Sequence, residues 1–170
     1  MGRLMSRLLA NIEQLPGPTV AALNGPAIGG GTELALAFDM RVAADTTYLR
    51  FAQTRMGITT GWQGIERLCR IVGYSRCLHL MLSGRTVGAE EARGLGLVDE
   101  VWPADSFDRE LDAFLCDLAE AGDAGLAVKH ILRATSRALE LSSGELELRL
   151  LRELWDRPTR RLAMQNSLRK

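Results

Sequence analysis

A run of three glycines between an apolar strand and a helix start constrains this 170-residue chain more than any other feature. Gly29–Gly31 follow the apolar stretch Val20–Leu23 and stand just before Glu33. Glycine has no Cβ, so a ligand can closely approach backbone N–H groups at the start of a helix. Such amides can hold a phosphate or a developing oxyanion, and Glu33 would then lie within one turn of it. A tight strand-to-helix turn without any ligand is the alternative interpretation.

Motif spacing and charge exclude several other functions. A dinucleotide fingerprint needs glycine at its sixth position, where counting from Gly29 gives Leu34, and the Gly-Lys-Ser/Thr of a P-loop is absent. Formal net charge is zero, with 21 basic and 21 acidic side chains, so we expect no nucleic-acid partner. The three cysteines have no metal-binding spacing, so we expect no metal site.

Hydrophobic periodicity divides the chain into an α/β part and a helical part. The predicted strands are Thr19–Leu23, Met40–Ala44, Tyr48–Phe51 and Leu97–Val101. The predicted helices are Arg3–Leu15, Thr32–Phe38, Trp62–Val72, Arg76–Leu82, Ala89–Gly94, Ser106–Glu120, Leu126–Leu141 and Glu145–Leu168, with Gly122, Gly125, Gly144 and Pro158 as breaks. We therefore expect an α/β core over residues 1–103 and a helical region over 104–170. The helical region is too apolar to stand exposed, so it packs on its own domain or on a partner subunit.

Several motifs, in order along nearly the whole chain, resemble the crotonase (enoyl-CoA hydratase/isomerase) superfamily. The matching segments are Pro18–Gly25, Ala27–Glu33, Asp39–Ala44, Phe51–Gly57, Gly61–Leu68, Leu82–Arg85, Ala89–Ala92 and Gly96–Val101. The resemblance implies a spiral of strand-strand-helix units, of which this chain has the C-terminal part, followed by a helical tail. It also implies a homotrimer, or a hexamer built from two trimers, assembled through that tail.

The resemblance further implies that an N-terminal region is missing. Family members carry more strands and helices before the segment that matches Arg3–Leu15. That region supplies one of two oxyanion-hole amides and much of the coenzyme A site. We expect the remaining parallel sheet to have an unpaired edge, which usually finds a partner or aggregates.

The family resemblance also assigns candidate site residues. Members stabilise a thioester enolate with two backbone N–H donors, and Gly30 matches one of them. Glu33 matches the first of two catalytic glutamates of the hydratases. The substrate is a coenzyme A thioester, and no cofactor is expected to be bound permanently. The positions that match substrate-binding residues are Ala27, Ile28, Gly29 and Gly61.

The second glutamate of the hydratases has no counterpart in this sequence. The segment Phe51–Gly57 is two residues shorter than usual, so counting forward from Phe51 puts Arg55 at that place and counting back from Gly57 puts Gln53 there. Neither is a carboxylate, and a guanidinium cannot act as a base near neutral pH. Short spacing followed by Trp62 resembles a branch that includes acyl-CoA decarboxylases such as ethylmalonyl-CoA decarboxylase. Arg55 could bind a substrate carboxylate there, or it could be a surface residue at a strand end.

From these observations we expect an acyl-CoA-processing enzyme of the enoyl-CoA hydratase/isomerase family, a lyase or an isomerase of fatty acid metabolism. One alternative is a decarboxylase-like member of the family. The other is a catalytically inactive fragment or subunit that assembles through its helical tail. No apolar run reaches membrane-spanning length and no signal peptide is recognised, so the cytoplasm is the expected location.

Overall fold

The computed structural model describes residues 2–137 and the single residues 151, 152, 155, 164 and 165. The helices in the continuous range are α1 (Gly2–Glu13), α2 (Gly30–Ala35), α3 (Gly64–Val72), α4 (Tyr74–Ser83), α5 (Ala89–Gly94), α6 (Phe107–Glu120) and α7 (Gly122–Arg137). The strands are β1 (Val20–Leu23), β2 (Ala27–Ile28), β3 (Met40–Ala44), β4 (Tyr48–Arg50), β5 (Thr86–Gly88) and β6 (Glu100–Trp102), and a 3-10 helix spans Thr54–Met56. The α/β fold class predicted from the sequence is confirmed.

Two three-stranded sheets form the strand layer. One has the order β1-β3-β6 with all strands parallel, and Val20 lies opposite Met40 at the start of its register. The other has the order β2-β4-β5, in which β2 and β4 are parallel and β4 and β5 antiparallel. The middle strand β3 buries four consecutive residues, as expected for a parallel strand covered on both faces.

The hydrophobic core lies mainly between the second sheet and helices α3 to α5. Its largest fully buried apolar side chains include Phe51, Leu49 and Leu68. A smaller cluster forms where Phe107 of α6 meets Val42 of β3. There the ring of Trp102 lies 5.9 Å from the ring of Phe107, so an aromatic contact attaches the helical region to the sheet.

A buried ion pair attaches the last described helix to the strands. The ammonium group of Lys129, on α7, donates to the carbonyl oxygen of Gly17 and to Asp39 Oδ2, both at 2.7 Å. Asp39 also accepts hydrogen bonds from the backbone and side chain of Thr19. The helical region therefore closes over the start of β1 and β3, although the proposed domain division after residue 103 stays a prediction.

The outer edge of β1 has no partner strand among residues 2–137. Helix α1 precedes this strand and buries Leu9 completely, whereas Leu4 is 70% exposed. Only a narrow face of the amphipathic helix α1 is therefore buried against the described part of the protein. No helix in the described ranges is both long enough and apolar enough to cross a lipid bilayer.

The predicted elements agree with the structure best where the local pattern is strong. Strand β3 and helix α5 have the predicted bounds, whereas β6 lies three residues later than predicted at its start. Strands β2 and β5 were not predicted, because their two and three residues form strands only through pairing with β4. Gly125 was predicted to break a helix and instead lies within α7. The predicted helix Glu145–Leu168 and residues 138–141 lie almost wholly outside the described residues.

Helix α2 is shorter than predicted. It ends at Ala35 instead of Phe38, because the chain must turn there to bring Asp39 to Thr19. The buried side chain of Arg41 fixes that turn by donating to the carbonyl oxygen of Phe38 at 2.9 Å. A tertiary contact thus overrides the local helical pattern.

Candidate active site

The carboxylate of Glu33 lies in a cage of uncharged hydrogen-bond donors. The Trp62 amide donates to Oε2 at 2.8 Å, and the side-chain amide of Gln53 donates to Oε1 at 3.2 Å. The Gly61 amide lies 3.5 Å from Oε1, and the Gly64 amide also donates to the carboxylate. Glu33 is only 4% exposed, and no cation pairs with it within the described ranges. It is therefore a buried acid that depends on dipoles alone.

The loop before α3 is shaped to wrap around this carboxylate. Gln63 has a φ of 65°, the only positive φ of a non-glycine residue within the described part of the chain. A Cβ on Gly64 would lie 2.6 Å from Glu33 Cγ, so only glycine permits this close approach. Strain at Gln63 and the missing Cβ at Gly64 together bring the loop amides onto Glu33.

Burial raises the pKa of Glu33 above its ordinary value of 4.5, because desolvation disfavours the charged form. Hydrogen bonds from Trp62, Gln53, Gly61 and Gly64 oppose that effect by stabilising the carboxylate. Desolvation is the larger of the two influences. A carboxyl group with a raised pKa is better matched to proton transfer near neutral pH than an exposed one.

The glycine run does not leave all three of its amides open. Gly29 has a φ of 55° and donates its N–H to the carbonyl oxygen of Arg50 at 2.9 Å, which corrects the expectation that all three amides are bare. Gly30 begins α2, and none of the described residues accepts its N–H. The indole of Trp62 lies against Gly30, since a Cβ there would be 2.7 Å from Trp62 Cη2. An unpaired donor, a caged carboxylate and an aromatic ring therefore meet at this point.

Of the two candidates for the second catalytic position, only Gln53 lies beside Glu33. Gln53 is 4% exposed, and its Oε1 has no hydrogen-bond partner among the described residues. Arg55 instead turns outward and donates from Nε to the carbonyl oxygen of Ser83 at 2.8 Å. Arg55 is an exposed residue, and it lies in the 3-10 helix, whose Thr54 hydroxyl is bound to Met81, rather than at the predicted strand end. A substrate-binding role for Arg55 stays a prediction.

The four residues expected to bind substrate differ in exposure and in local structure, and their role stays a prediction. Ala27 is buried in β2, whereas Ile28 is 46% exposed. Gly29 forms the turn into α2. Gly61 is held from two sides, because its carbonyl oxygen accepts from the Ser6 hydroxyl at 3.3 Å and a Cβ on it would be 2.4 Å from Leu151 Cδ2.

Two clefts of about 550 and 750 Å³ border α1 and α7, and neither is lined by Gly30 or Glu33. The larger cleft contains Arg67 and Arg70, which both bind Glu13. Lys129 borders both clefts and is already paired with Asp39. Within the described ranges, no three His, Cys, Asp or Glu side chains converge in a way that could hold a metal ion.

Sequence reasoning identified Gly30 and Glu33 but missed most of the cage. Neither Gly64 nor the amide of Trp62 was expected to contact Glu33. The spacing of Gly61 and Gly64 around Trp62 was the available signal, because glycines just before a helix permit backbone amides to approach a side chain. Their partner lies about thirty residues earlier in the chain, which no local pattern reveals.

The fold and this site define an α/β protein with a buried acid next to an open backbone amide. The sequence pattern of the family named Enoyl-CoA hydratase/isomerase matches residues 2–169, and the chain belongs to this family. Its predicted crotonase-type fold is confirmed by solved structures. A crystal structure of an enoyl-CoA hydratase from Mycobacterium avium subsp. paratuberculosis aligns with a TM-score of 0.87 at 29% identity, covering 94% of this chain and 67% of that one.

Two curated relatives show the extent of the match. An enoyl-CoA isomerase/hydratase, fer4, of Mycosarcoma maydis is 44% identical over 100 residues, which are 58% of this chain and 36% of the relative. A probable enoyl-CoA hydratase, echA8, of Mycobacterium bovis is 38% identical over 128 residues, 75% of this chain and 49% of the relative. The chain thus spans half or less of the length of these relatives.

Proposed function

We propose that this chain processes acyl-CoA thioesters by stabilising an enolate, with the Gly30 N–H as an oxyanion donor and Glu33 as its proton-transfer group. The observation that carries the proposal is that two groups lie within one turn of each other on α2. One is the Gly30 amide, which donates to none of the described residues, and the other is the buried carboxylate of Glu33. An N–H aimed at a thioester oxygen stabilises the negative charge that develops there, which makes the α-carbon acidic. The thioester is the substrate, and no permanently bound cofactor is part of the proposal.

Glu33 is the single acid that the described residues bring to this site, and that limits the proposed reaction. Hydration of a double bond needs one group to deprotonate water and another to deliver a proton to carbon. Beside Glu33 the structure has the amide of Gln53, 3.2 Å away, which cannot exchange protons in this way. Proton transfer at carbon, as in an isomerase, needs only Glu33. We therefore expect this chain to hydrate crotonyl-CoA more slowly than about 1 per second, the lower end of usual enzyme rates.

A decarboxylase-like reaction is the second candidate, and the same Gln53 favours it. Loss of carbon dioxide requires a stabilised enolate and an oriented substrate carboxylate, but no second base. The side-chain amide of Gln53 has two N–H groups and donates one of them to Glu33, so the other could donate to the substrate carboxylate, whereas Oε1 can only accept. Arg55 is not proposed for this role, because its guanidinium is bound to Ser83.

The test is a panel of acyl-CoA thioesters with mass-spectrometric readout of hydration, isomerisation and decarboxylation. Gln53→Glu places a second carboxylate beside Glu33, and we expect it to raise hydration relative to the other products. Arg55→Glu is the matched control, since this position faces Ser83 and should leave product ratios unchanged. Glu33→Gln should abolish any activity found. If no thioester is bound or converted by the unchanged chain, the proposal fails in favour of a catalytically inactive subunit.

We also propose assembly into a homotrimer or hexamer through the helical region, in the cytoplasm and without nucleic acid. Apolar side chains on the two described helices of this region support this, because several stand exposed. They are Leu115, Leu126, Val128, Ile131 and Leu132. Light scattering at micromolar concentration provides the test, and a monodisperse monomer would contradict the proposal. An inactive subunit would assemble in the same way, so only the thioester panel distinguishes the two functions.

A further inference from the structure

The indole of Trp62 lies against Gly30, and nothing in the proposed reaction uses it. A Cβ on Gly30 would lie 2.7 Å from Trp62 Cη2 and 2.8 Å from Cζ3, so the six-membered ring covers the space that any side chain at residue 30 would occupy. A carbonyl oxygen that accepts the Gly30 N–H lies about 2.9 Å from the nitrogen. The groups bonded to that carbonyl carbon would therefore lie beside the ring.

The ring is attached to an anchored piece of backbone. The Trp62 N–H donates to Glu33 at 2.8 Å, and the Trp62 carbonyl oxygen accepts from the buried guanidinium of Arg67. Arg67 is in turn held by Glu13 at 2.8 Å. Both peptide groups of Trp62 thus have fixed partners.

The two neighbours of Trp62 restrict it further. Gly61 is packed by Leu151 on one side and accepts from Ser6, while Gln63 holds the loop in a left-handed conformation. These bonds fix the position of the backbone from which the ring extends. These contacts favour a rigid wall of the acyl site over a gate.

We infer that Trp62 determines the acyl specificity of the site: its ring lies against Gly30, whose amide would hold the thioester oxygen, so the site accepts short, unbranched acyl chains and rejects longer or α-branched ones. The inference rests on the proposed function, since it takes the Gly30 amide as the group that holds the thioester oxygen. The expected selection is steric. One methylene group that does not fit an apolar pocket typically changes the preference between two substrates by about tenfold or more.

The first experiment measures binding by calorimetry with butyryl-CoA, octanoyl-CoA and isobutyryl-CoA. We expect Trp62→Ala to improve binding of octanoyl-CoA and isobutyryl-CoA relative to butyryl-CoA by about tenfold. Trp62→Phe, which keeps a smaller ring, should show an intermediate ratio. Trp102→Phe and Trp155→Phe are the controls, and both should keep the ratio of the unchanged chain. If Trp62 has only a structural role, Trp62→Ala should weaken the binding of all three thioesters equally, and that result would overturn the inference.

The second experiment measures the fluorescence emission of Trp62 itself and does not depend on whether the Trp62→Ala variant folds. In a chain with Trp102→Phe and Trp155→Phe, Trp62 is the only remaining tryptophan. Butyryl-CoA should shift or quench its emission, with a midpoint equal to the calorimetric Kd. Heat of binding without any change in emission would overturn the inference and leave the proposed function standing. Absence of binding to every variant would overturn both together.

Discussion

Buried charged groups in two regions of this molecule are stabilised differently, by ion pairs in one region and by uncharged hydrogen-bond donors in the other. At the start of β1 and β3, Arg41 faces Asp99 and Lys129 faces Asp39, so each buried cation has an acidic partner. At the start of α2, the partners of buried Glu33 among the described residues are all amide donors. Burial lowers the pKa of Arg41, but the charges of Asp99 and Asp39 counteract it, whereas no opposite charge counteracts the raised pKa of Glu33.

This difference in partners distinguishes charged groups that stabilise the fold from one that can take part in a reaction. A paired and hydrogen-bonded charge is costly to break and has no proton to exchange near neutral pH. A buried carboxyl group held by dipoles remains able to take up or release a proton in a useful range, which is typical of catalytic acids and bases. Substitutions in the first region should therefore change stability, and those in the second should change chemistry.

The largest expected effect is on activity. Replacing Glu33 by Gln removes the only acidic group that the described residues place at the site, so any proton-transfer activity should fall by about 100- to 10,000-fold. Thioester turnover under saturating conditions measures this. Glu90→Gln, on the exposed face of α5, is the matched control and should leave turnover unchanged. Residual activity above a tenth of the original would show that Glu33 is not the proton-transfer group.

The next largest effect is on stability. Arg41 is 5% exposed and donates to the carbonyl oxygens of Leu97 and Phe38, so Arg41→Met leaves both acceptors without their donor and removes the ion pair with Asp99. The free energy of unfolding should fall by about 3 kcal/mol. Urea denaturation followed by circular dichroism measures it. Arg93 pairs with Glu90 on the exposed surface. If Arg93→Met lowers the free energy of unfolding as much as Arg41→Met does, the contrast between buried and exposed pairs is contradicted.

A smaller effect concerns pH. Because the folded-state pKa of Glu33 lies above 4.5, the native state binds more protons than the unfolded state between that value and the raised pKa. The free energy of unfolding should therefore decrease as pH rises through this window, by about 1.4 kcal/mol for each unit of the shift. Glu33→Gln lacks this titration, so the difference between the two chains should change with pH. Parallel stability curves across the window would mean that burial does not perturb Glu33.

The smallest effect belongs to surface pairs. Arg85 and Glu91 form a hydrogen-bonded pair that raises the pKa of Arg85 and lowers that of Glu91, but both side chains are largely in contact with solvent. Arg85→Met should lower the free energy of unfolding by less than about 1 kcal/mol, and salt should reduce even that. Thermal denaturation at low and high ionic strength is the measurement. A loss comparable to that of Arg41→Met would show that burial is not what distinguishes the two kinds of pair.

Some features of the site were predictable because they depend on neighbours in sequence. Gly30 and Glu33 are three residues apart, so any helix that starts at the glycine run places them within one turn of each other. Strand β3 was likewise predictable from the mostly apolar stretch Met40–Ala44, in which Arg41 is the only charged residue. Family resemblance then added the chemistry of a thioester enolate to this local geometry.

Other features could not be predicted because their partners are distant. Spacing allowed either Gln53 or Arg55 to face Glu33, and two contacts decided between them. The Thr54 hydroxyl binds the carbonyl of Met81, and Arg55 binds that of Ser83, nearly thirty residues further along the chain. Together they turn the 3-10 helix so that Gln53 points inward.

The sequence by itself determined the α/β class, the family, and the placement of a glycine amide next to an acid, because each of these depends on local pattern. Only the tertiary structure decided that Gln53 is the neighbour of that acid, that the loop around Trp62 supplies its hydrogen bonds, and that its pKa is raised. Desolvation and backbone hydrogen bonding arise when segments separated by twenty to thirty residues pack together, and no single segment carries that information.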